Sequence, residues 1–320
     1  MRTRWKIAAL AATTPLLLTA CGGDGGGDGG SGGDELTEVT VGVLPLADYA
    51  PVYWAQDHGQ YEEQGLKVTF EPLQGGPVGI QQVVAGELDF AFSNAISSTV
   101  ASAQGAPVQT IALVSGLGED ELGVFVNPDS PIEELADLDG ATVGINTTNN
   151  IGDVTFARHA RDEGVDAEPE WVEVPFPEMI AGVQNGSIEA GYLPEPFATS
   201  ARQAGLRQVA NLVQGETVGL PVSTFVTSTQ FANSDADTVE RFAKALNAAR
   251  DDMEGKDDEF RSWWPEATDA DPDATAEMHL PVLDVQLSVE GMQDIADFMA
   301  ELGIIEEGYD ASEFTVVNED

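Results

Sequence analysis

Residues 65–95 read GLKVTFEPLQGGPVGIQQVVAGELDFAFSNA, and the rest of the chain can be read outward from them. Leu66, Val68 and Phe70 alternate with polar neighbours, the period of a half-buried strand. Gln74-Gly75-Gly76 breaks that pattern, since Gly-Gly is strong turn punctuation. Pro77 suits a first helical turn, Val78, Ile80, Val83 and Val84 follow at helical spacing, and Gly86 stands where a helix ends. Leu88 to Phe92 predicts a second strand, which runs into Ser93-Asn94-Ala95. Strand, helix and strand predict a parallel βαβ unit. Small polar residues lie beyond the carboxyl ends of both strands, where open α/β sheets bind ligands.

The same theme recurs on either side. Val39 to Leu44 predicts a first strand, and Pro51 opens a short helix through Trp54. Further strands are predicted at Val108–Val114, Leu122–Val126, Ala141–Ile145, Trp171–Val174, Ile188–Leu193 and Val209–Val213. Ser130 with Glu133 reads as a helix N-cap box, and so does Asn150 with Asp153. Val222–Phe231 predicts a long strand, after which helices dominate: Ser234, Asp271 and Ser288 read as their caps. Two α/β sets in 320 residues, more than one core usually holds, predict two lobes with the chain crossing between them twice.

The N-terminus belongs to neither lobe. Arg2, Arg4 and Lys6 precede an apolar run, Ile7–Leu18, in the manner of a signal peptide and too short to span a bilayer comfortably. Residues 1–20 are expected to be that peptide, ending at Leu18-Thr19-Ala20-Cys21. Gly22–Asp34, GGDGGGDGGSGGD, cannot bury a core and reads as a flexible tether of roughly 20 Å. Cys21 is the only cysteine, which excludes an internal disulfide or a cysteine metal cluster. Removing residues 1–20 takes three of the 13 basic residues and none of the 56 acidic ones, leaving a net charge of −46. Nucleic acid is excluded as a partner by such a field. A solvated acidic surface suited to high salt is the expectation.

An enzyme would need a nucleophile with a base, or a metal site. The three histidines, His58, His159 and His279, show no metal-ligand spacing, and His279 stands far off in the tail. Gly116-Leu117-Gly118 lacks the third glycine of a dinucleotide fingerprint.

Several stretches, in order, resemble the solute-binding proteins of ABC importers in the nitrate, sulfonate, taurine and thiamine-pyrimidine group. They are Ala50-Pro51-Val52-Tyr53-Trp54-Ala55, Gly59-Gln60-Tyr61, Gly65-Leu66-Lys67-Val68, Gln74-Gly75-Gly76 and Ala85-Gly86-Glu87-Leu88-Asp89-Phe90. Leu138 to Gly144, Asn185 to Ala190 and Glu195-Pro196 complete the set. Leu-Thr-Ala-Cys resembles the lipobox, which implies a diacylglyceryl group on Cys21 and a protein anchored to the outer face of the cell membrane. The resemblance implies an α/β, two-lobed periplasmic-binding-protein fold of type II, each lobe a mostly parallel sheet flanked by helices. Lobe one would be 36–123 plus 226–320 and lobe two 124–225, with Leu122–Val126 and Val222–Phe231 as crossover hinge strands closing on a ligand. A permease and its ATPase would be the partners of a monomer without enzymatic activity or cofactor. Eukaryotic relatives of the thiamine-pyrimidine branch are biosynthetic proteins with a cysteine cluster, which this chain lacks.

The ligand is approached through the loops beyond the strands. None of 44–50, 74–77, 93–95, 115–121, 147–150, 175–177 or 194–197 contains lysine or arginine. Carboxylates and aromatic rings there suit a nitrogen heterocycle or an amine. The candidate contacts are Asp48, Tyr49, Trp54, Gly75, Gly76, Ser93, Asn94, Thr147, Thr148, Asn149, Phe176 and Glu195. Trp54 also has the helix-face spacing of a core residue, and Asp48 the position of a cap for the helix at Pro51. Glu195, at a strand end and before a proline, is expected to face Asn94, Gly75 and Gly76 across the cleft. Thr147, Thr148 and helix N-termini leave a sulfonate, taurine or nitrate binder as the alternative. A pyrimidine-synthesising enzyme and a non-transport surface binding protein are readings of a different class.

Overall fold

The structure, a computed structural model, describes residues 36–317. The signal peptide, Cys21 and the tether expected at residues 1–35 lie outside the described residues.

Two five-stranded sheets carry the fold. The first contains β1 (Thr37–Val43), β2 (Leu66–Pro72), β3 (Phe90–Asn94), β4 (Val108–Gly116) and β10 (Pro221–Ser228), in the order β2-β1-β3-β10-β4. The second contains β5 (Leu122–Val126), β6 (Thr142–Ile145), β7 (Glu170–Glu173), β8 (Ala190–Pro194) and β9 (Arg207–Asn211), in the order β7-β6-β8-β5-β9. β1 runs parallel to β2 and β3, and β6 parallel to β7 and β8. β10 runs antiparallel to β3 and β4, as β5 does to β8 and β9. Each sheet thus has four strands in one direction and one against them. The strand that opposes the rest is in both cases the first one laid down after the chain crosses from the other lobe.

The decisive stretch folds as strand, helix (Gly76–Ala85) and parallel strand, with β1 lying between β2 and β3. Val41 is registered against Phe70 on one side and Phe90 on the other. β2 is a sheet edge, and its alternation survives as buried Leu66 beside exposed Lys67 and Thr69. The first lobe's core stacks Phe90 on Phe242 with ring centroids 4.0 Å apart, beneath the helix Ala236–Met253.

Three expectations about elements are corrected. Leu122–Val126 and Pro221–Ser228 are not the crossings, because each pairs along its length within one sheet, which satisfies its backbone polar groups. The chain passes between lobes at residues 117–121 and 212–220 instead. The long strand stops at Ser228, whose hydroxyl accepts from the Phe231 N–H and starts the helix Thr229–Ser234. Ser234 therefore ends a helix, and Asp235 stands at the N-cap position of the next, accepting from the Thr238 hydroxyl. The Ser130–Glu133 box yields only a single 3₁₀ turn, Leu135–Leu138, capped by Glu134 and Asp137. Asn150 with Asp153, Asp271 and Ser288 cap as expected.

Candidate functional site

Polar residues at the carboxyl ends of the strands converge where the lobes meet. β3 ends in Asn94, whose side-chain oxygen accepts from the Ser97 N–H and caps the helix Ala95–Ala103. β6 leads to Asn150, which caps the helix Ile151–Asp162 in a box with Asp153. The two caps meet: Asn94 Nδ2 donates to Asn150 Oδ1 at 2.6 Å, and the Ser97 hydroxyl donates to the same oxygen at 2.8 Å. Asn150 Nδ2 in turn donates to Thr147 Oγ1 at 2.6 Å. Asn146 Nδ2 reaches the Gln74 carbonyl at 3.1 Å. At Gly75 a Cβ would stand 2.7 Å from the Thr147 side chain, and at Gly76 one would stand 3.1 Å from Ser93 Oγ. Gly75 lets the lobes close to this distance, and Gly76 lets its helix approach β3 within the first lobe.

A second group is acidic. Asp48 Oδ2 accepts from the Ser223 hydroxyl at 2.8 Å, and its backbone carbonyl accepts from Ser115 Oγ at 2.8 Å. Its other carboxylate oxygen, Oδ1, is enclosed and has no partner. It does not cap the helix Ala50–Asp57, whose N-terminus has no side-chain cap. Tyr49 is buried, donates its hydroxyl to the Ser93 carbonyl, and sets its ring edge-on to Phe92. Glu121, in the first crossing, is 1% exposed and accepts the Gly118 N–H at 2.7 Å. Tyr192, fully buried on β8, leaves its hydroxyl without a partner, and so does buried Thr224 on β10. Phe176 packs 6.1 Å from Tyr192 and stacks on Phe197 at 5.6 Å.

Burial sets the electrostatics of this group. It pushes the Asp48 carboxyl up to about 6, against the opposing Ser223 hydrogen bond. It raises Glu121 well above the usual carboxylate range, and the Asp48 charge adds to the effect. The phenols of Tyr49 and Tyr192 are raised by burial first, then by the Asp48 and Glu121 charges. Asp153 is raised by burial, opposed by the N–H groups of Asn149, Asn150 and Val154.

Four sequence candidates are corrected. Trp54 is fully buried in lobe one, where it stacks on His58 at 3.8 Å and donates Nε1 to Asp252 at 2.8 Å. Its helical spacing places it on the inner face, so it is a core residue and is removed from the cleft set. Thr148 and Asn149 stand outside the converging caps: Thr148 bonds to Glu173, and exposed Asn149, at φ 53°, donates its N–H to Asp153. Glu195 follows β8 as expected but does not offer its carboxylate across the cleft. It is wholly buried and accepts from the Thr199 N–H and hydroxyl, from Arg202 Nη1 at 2.9 Å, and from the His279 N–H at 3.4 Å. The His279 backbone is thus beside it rather than distant, and the peptide to Pro196 is cis.

Glu121, Tyr192, Asn146, Asn150, Ser223 and Thr224 escaped the sequence reading as site residues. Asn150 was visible only as a cap, and Tyr192 only as one apolar member of a strand. Among the described residues no three His, Cys, Asp or Glu side chains converge as a metal site would require. No described helix is long and apolar enough to cross a membrane.

This architecture is that of the periplasmic binding proteins. The alkanesulfonate-binding protein of Xanthomonas axonopodis pv. citri, bound to MOPS, superimposes with a TM-score of 0.75 at 16% identity, covering 89% of this chain and 99% of that one. The chain belongs to the NMT1/THI5-like family, whose profile matches residues 47–259. A Bacillus subtilis (strain 168) protein named for binding aliphatic sulfonates is 26% identical over 242 residues, 73% of this chain and 69% of that one. The 4-amino-5-hydroxymethyl-2-methylpyrimidine phosphate synthase of Aspergillus parasiticus is 25% identical over 218 residues, 63% of this chain and 62% of that one.

Proposed function

We propose that the protein is the extracytoplasmic solute-binding component of an ABC importer, taking up a small donor-bearing solute, an amine or a nitrogen heterocycle such as an aminopyrimidine. The observation that carries the solute class is an acceptor-rich group where the crossings meet the strand ends: half-buried Asp48, whose Oδ1 is enclosed, with buried Glu121 and Tyr192. Enclosed carboxyl and hydroxyl oxygens without partners favour N–H donors, because an unpaired buried acceptor costs about 1–3 kcal/mol. Arg202, which reaches the Asp120 carbonyl beside Glu121, is bound to Glu195.

In this reading the protein works as a monomer, held to the outer face of the membrane by a lipid on Cys21, and delivers its ligand to a permease driven by an ATPase. The solute is bound and released unchanged. The single cysteine supports a binder over the pyrimidine-synthesising enzymes, whose relatives carry a cysteine cluster.

A sulfonate is the second reading. It is favoured by the printed names of the relatives and by the helix N-termini at Gly76, Ala95 and Ile151, which lie by the interlobe contact and suit anions. A thermal-shift screen of residues 36–320 with aminopyrimidines, amines, alkanesulfonates, taurine and nitrate separates the two. Stabilisation by amines or aminopyrimidines alone is the expected result. A shift with sulfonates or nitrate, and none with the nitrogen bases, would overturn the solute class and leave the importer reading standing.

A further inference from the structure

Resting on the reading of this cleft as a donor-binding site, we propose that Asp48 and Glu121 act as a carboxyl pair that keeps one proton while the cleft is empty and gives it up in exchange for the positive charge of the ligand. The solute is then selected as a monocation.

The placement of the two acids argues for exchange. Asp48 comes from the loop after β1, and Glu121 from the crossing that leads into the second lobe. Each has little hydrogen bonding for a carboxylate with enclosed oxygens: Ser223 Oγ for half-buried Asp48, and the Gly118 N–H for buried Glu121. Asp48 Oδ1 is left enclosed and unpartnered, and a carboxylate needs more donors than that to stay ionised away from water. The fully buried hydroxyl of Tyr192 lies within the fields of both acids, also without a partner.

Every other charged or titratable group facing the pair is already engaged or of the wrong sign. Glu195 is closed off by Arg202 and the Thr199 hydroxyl. Asp153 is held by the N–H groups at the start of its helix. The Tyr49 phenol is bound to the Ser93 carbonyl, and both tyrosines stay neutral because burial raises them. Among the described residues no cation balances two negative charges here, so two ionised carboxylates in this enclosure are disfavoured and one proton stays. A ligand bringing one positive charge and its own N–H donors changes the balance. It donates to Asp48 Oδ1, lets Glu121 ionise, and the Glu121 proton passes to solvent. A neutral isostere provides donors without the charge, and gains much less.

The probe is benzamidinium, which stays charged throughout the range examined, with benzamide as its neutral isostere. Calorimetry of the folded chain in buffers of different ionisation enthalpy should show a fraction of a proton, up to one, released per benzamidinium bound at about pH 7, above the range in which Asp48 is itself protonated. Affinity should rise with pH between about pH 6.5 and about pH 8, by no more than about tenfold per unit, since one proton is exchanged. Benzamide should bind at least tenfold more weakly at the upper end and show no proton release. Glu121→Gln, which keeps a hydrogen-bonding side chain, should reduce the proton release of benzamidinium binding. Binding of benzamidinium with flat affinity and no proton release would overturn the exchange while leaving the donor-site reading intact. Equal binding of benzamide would overturn the selection for charge. Binding of methanesulfonate and of neither benzamidinium nor aminopyrimidines would overturn both.

Discussion

Asp48 is under strain of an electrostatic kind, and stability should register it. Its carboxyl holds a proton up to about pH 6 in the folded chain, against about 3.9 for an aspartate in an unfolded one. The folded state therefore binds that proton more tightly. Stability due to this group is highest below about pH 4, declines as pH rises to about 6, and stays reduced above. Asp48→Asn keeps an acceptor for Ser223 and removes the penalty. The variant should be more stable than the parent by up to about 3 kcal/mol near neutral pH, with the gain vanishing near pH 4, as read from urea midpoints. A less stable variant at neutral pH would contradict the assignment. The residue type was legible at this position, since an acid in a loop beyond a strand was the signal. Its state was not, because burial and the hydroxyl of Ser223 arrive from a strand 175 positions away. Glu195 shows the opposite failure: the chain placed it correctly at a strand end, while Arg202, seven residues on, turns inward and closes it off.

At the level of elements the chain was more legible. Periods of two and 3.6 identified nine of the ten strands within a few residues, and the tenth, β10, only by overrunning into a helix. Caps were read at Asn150, Asp271 and Ser288, missed at Asn94 and Ser228, and misread where a turn or a second helix competed, as at Ser130 and Ser234. What a cap does beyond its own helix cannot be seen in a local pattern. Asn150 starts one helix and ties it to Asn94 and Ser97 of the other lobe. Asn150→Ala should cost about 1 kcal/mol for the cap and about 1–3 kcal/mol more for the buried donors left unpaired. Asn150→Ser should recover the first part and not the second. Small-angle scattering should give both variants a larger radius than the parent in the absence of added solute. Radii equal to that of the parent would mean that these bonds do not hold the lobes together.

The molecule as a whole carries 56 acidic residues against 13 basic ones, and among the described residues all but a few of the acids are outside the core. Self-repulsion at this density destabilises the compact state in dilute buffer. Salt shortens its reach from about 10 Å at ~0.1 M to about 3 Å at ~1 M. The thermal midpoint of residues 36–320 should therefore climb by several degrees over that range of potassium chloride. A falling midpoint would show that ion pairs such as Arg202–Glu195 outweigh the repulsion.

The inserted strand of the first sheet sets the order in which the chain can be completed. β10 lies between β3 and β4, and its Ser223 is registered against Asn94, about 130 residues earlier. All five strands of the second sheet fall within residues 122–211, before β10 is reached. A chain emerging from its N-terminus can thus finish the second sheet while the first still has an open seam between β3 and β4. Closing that seam fixes Ser223 beside Asp48. The acid that gives the cleft its character is the last of its group to be set in place, and no fragment ending short of β10 can contain a finished binding site.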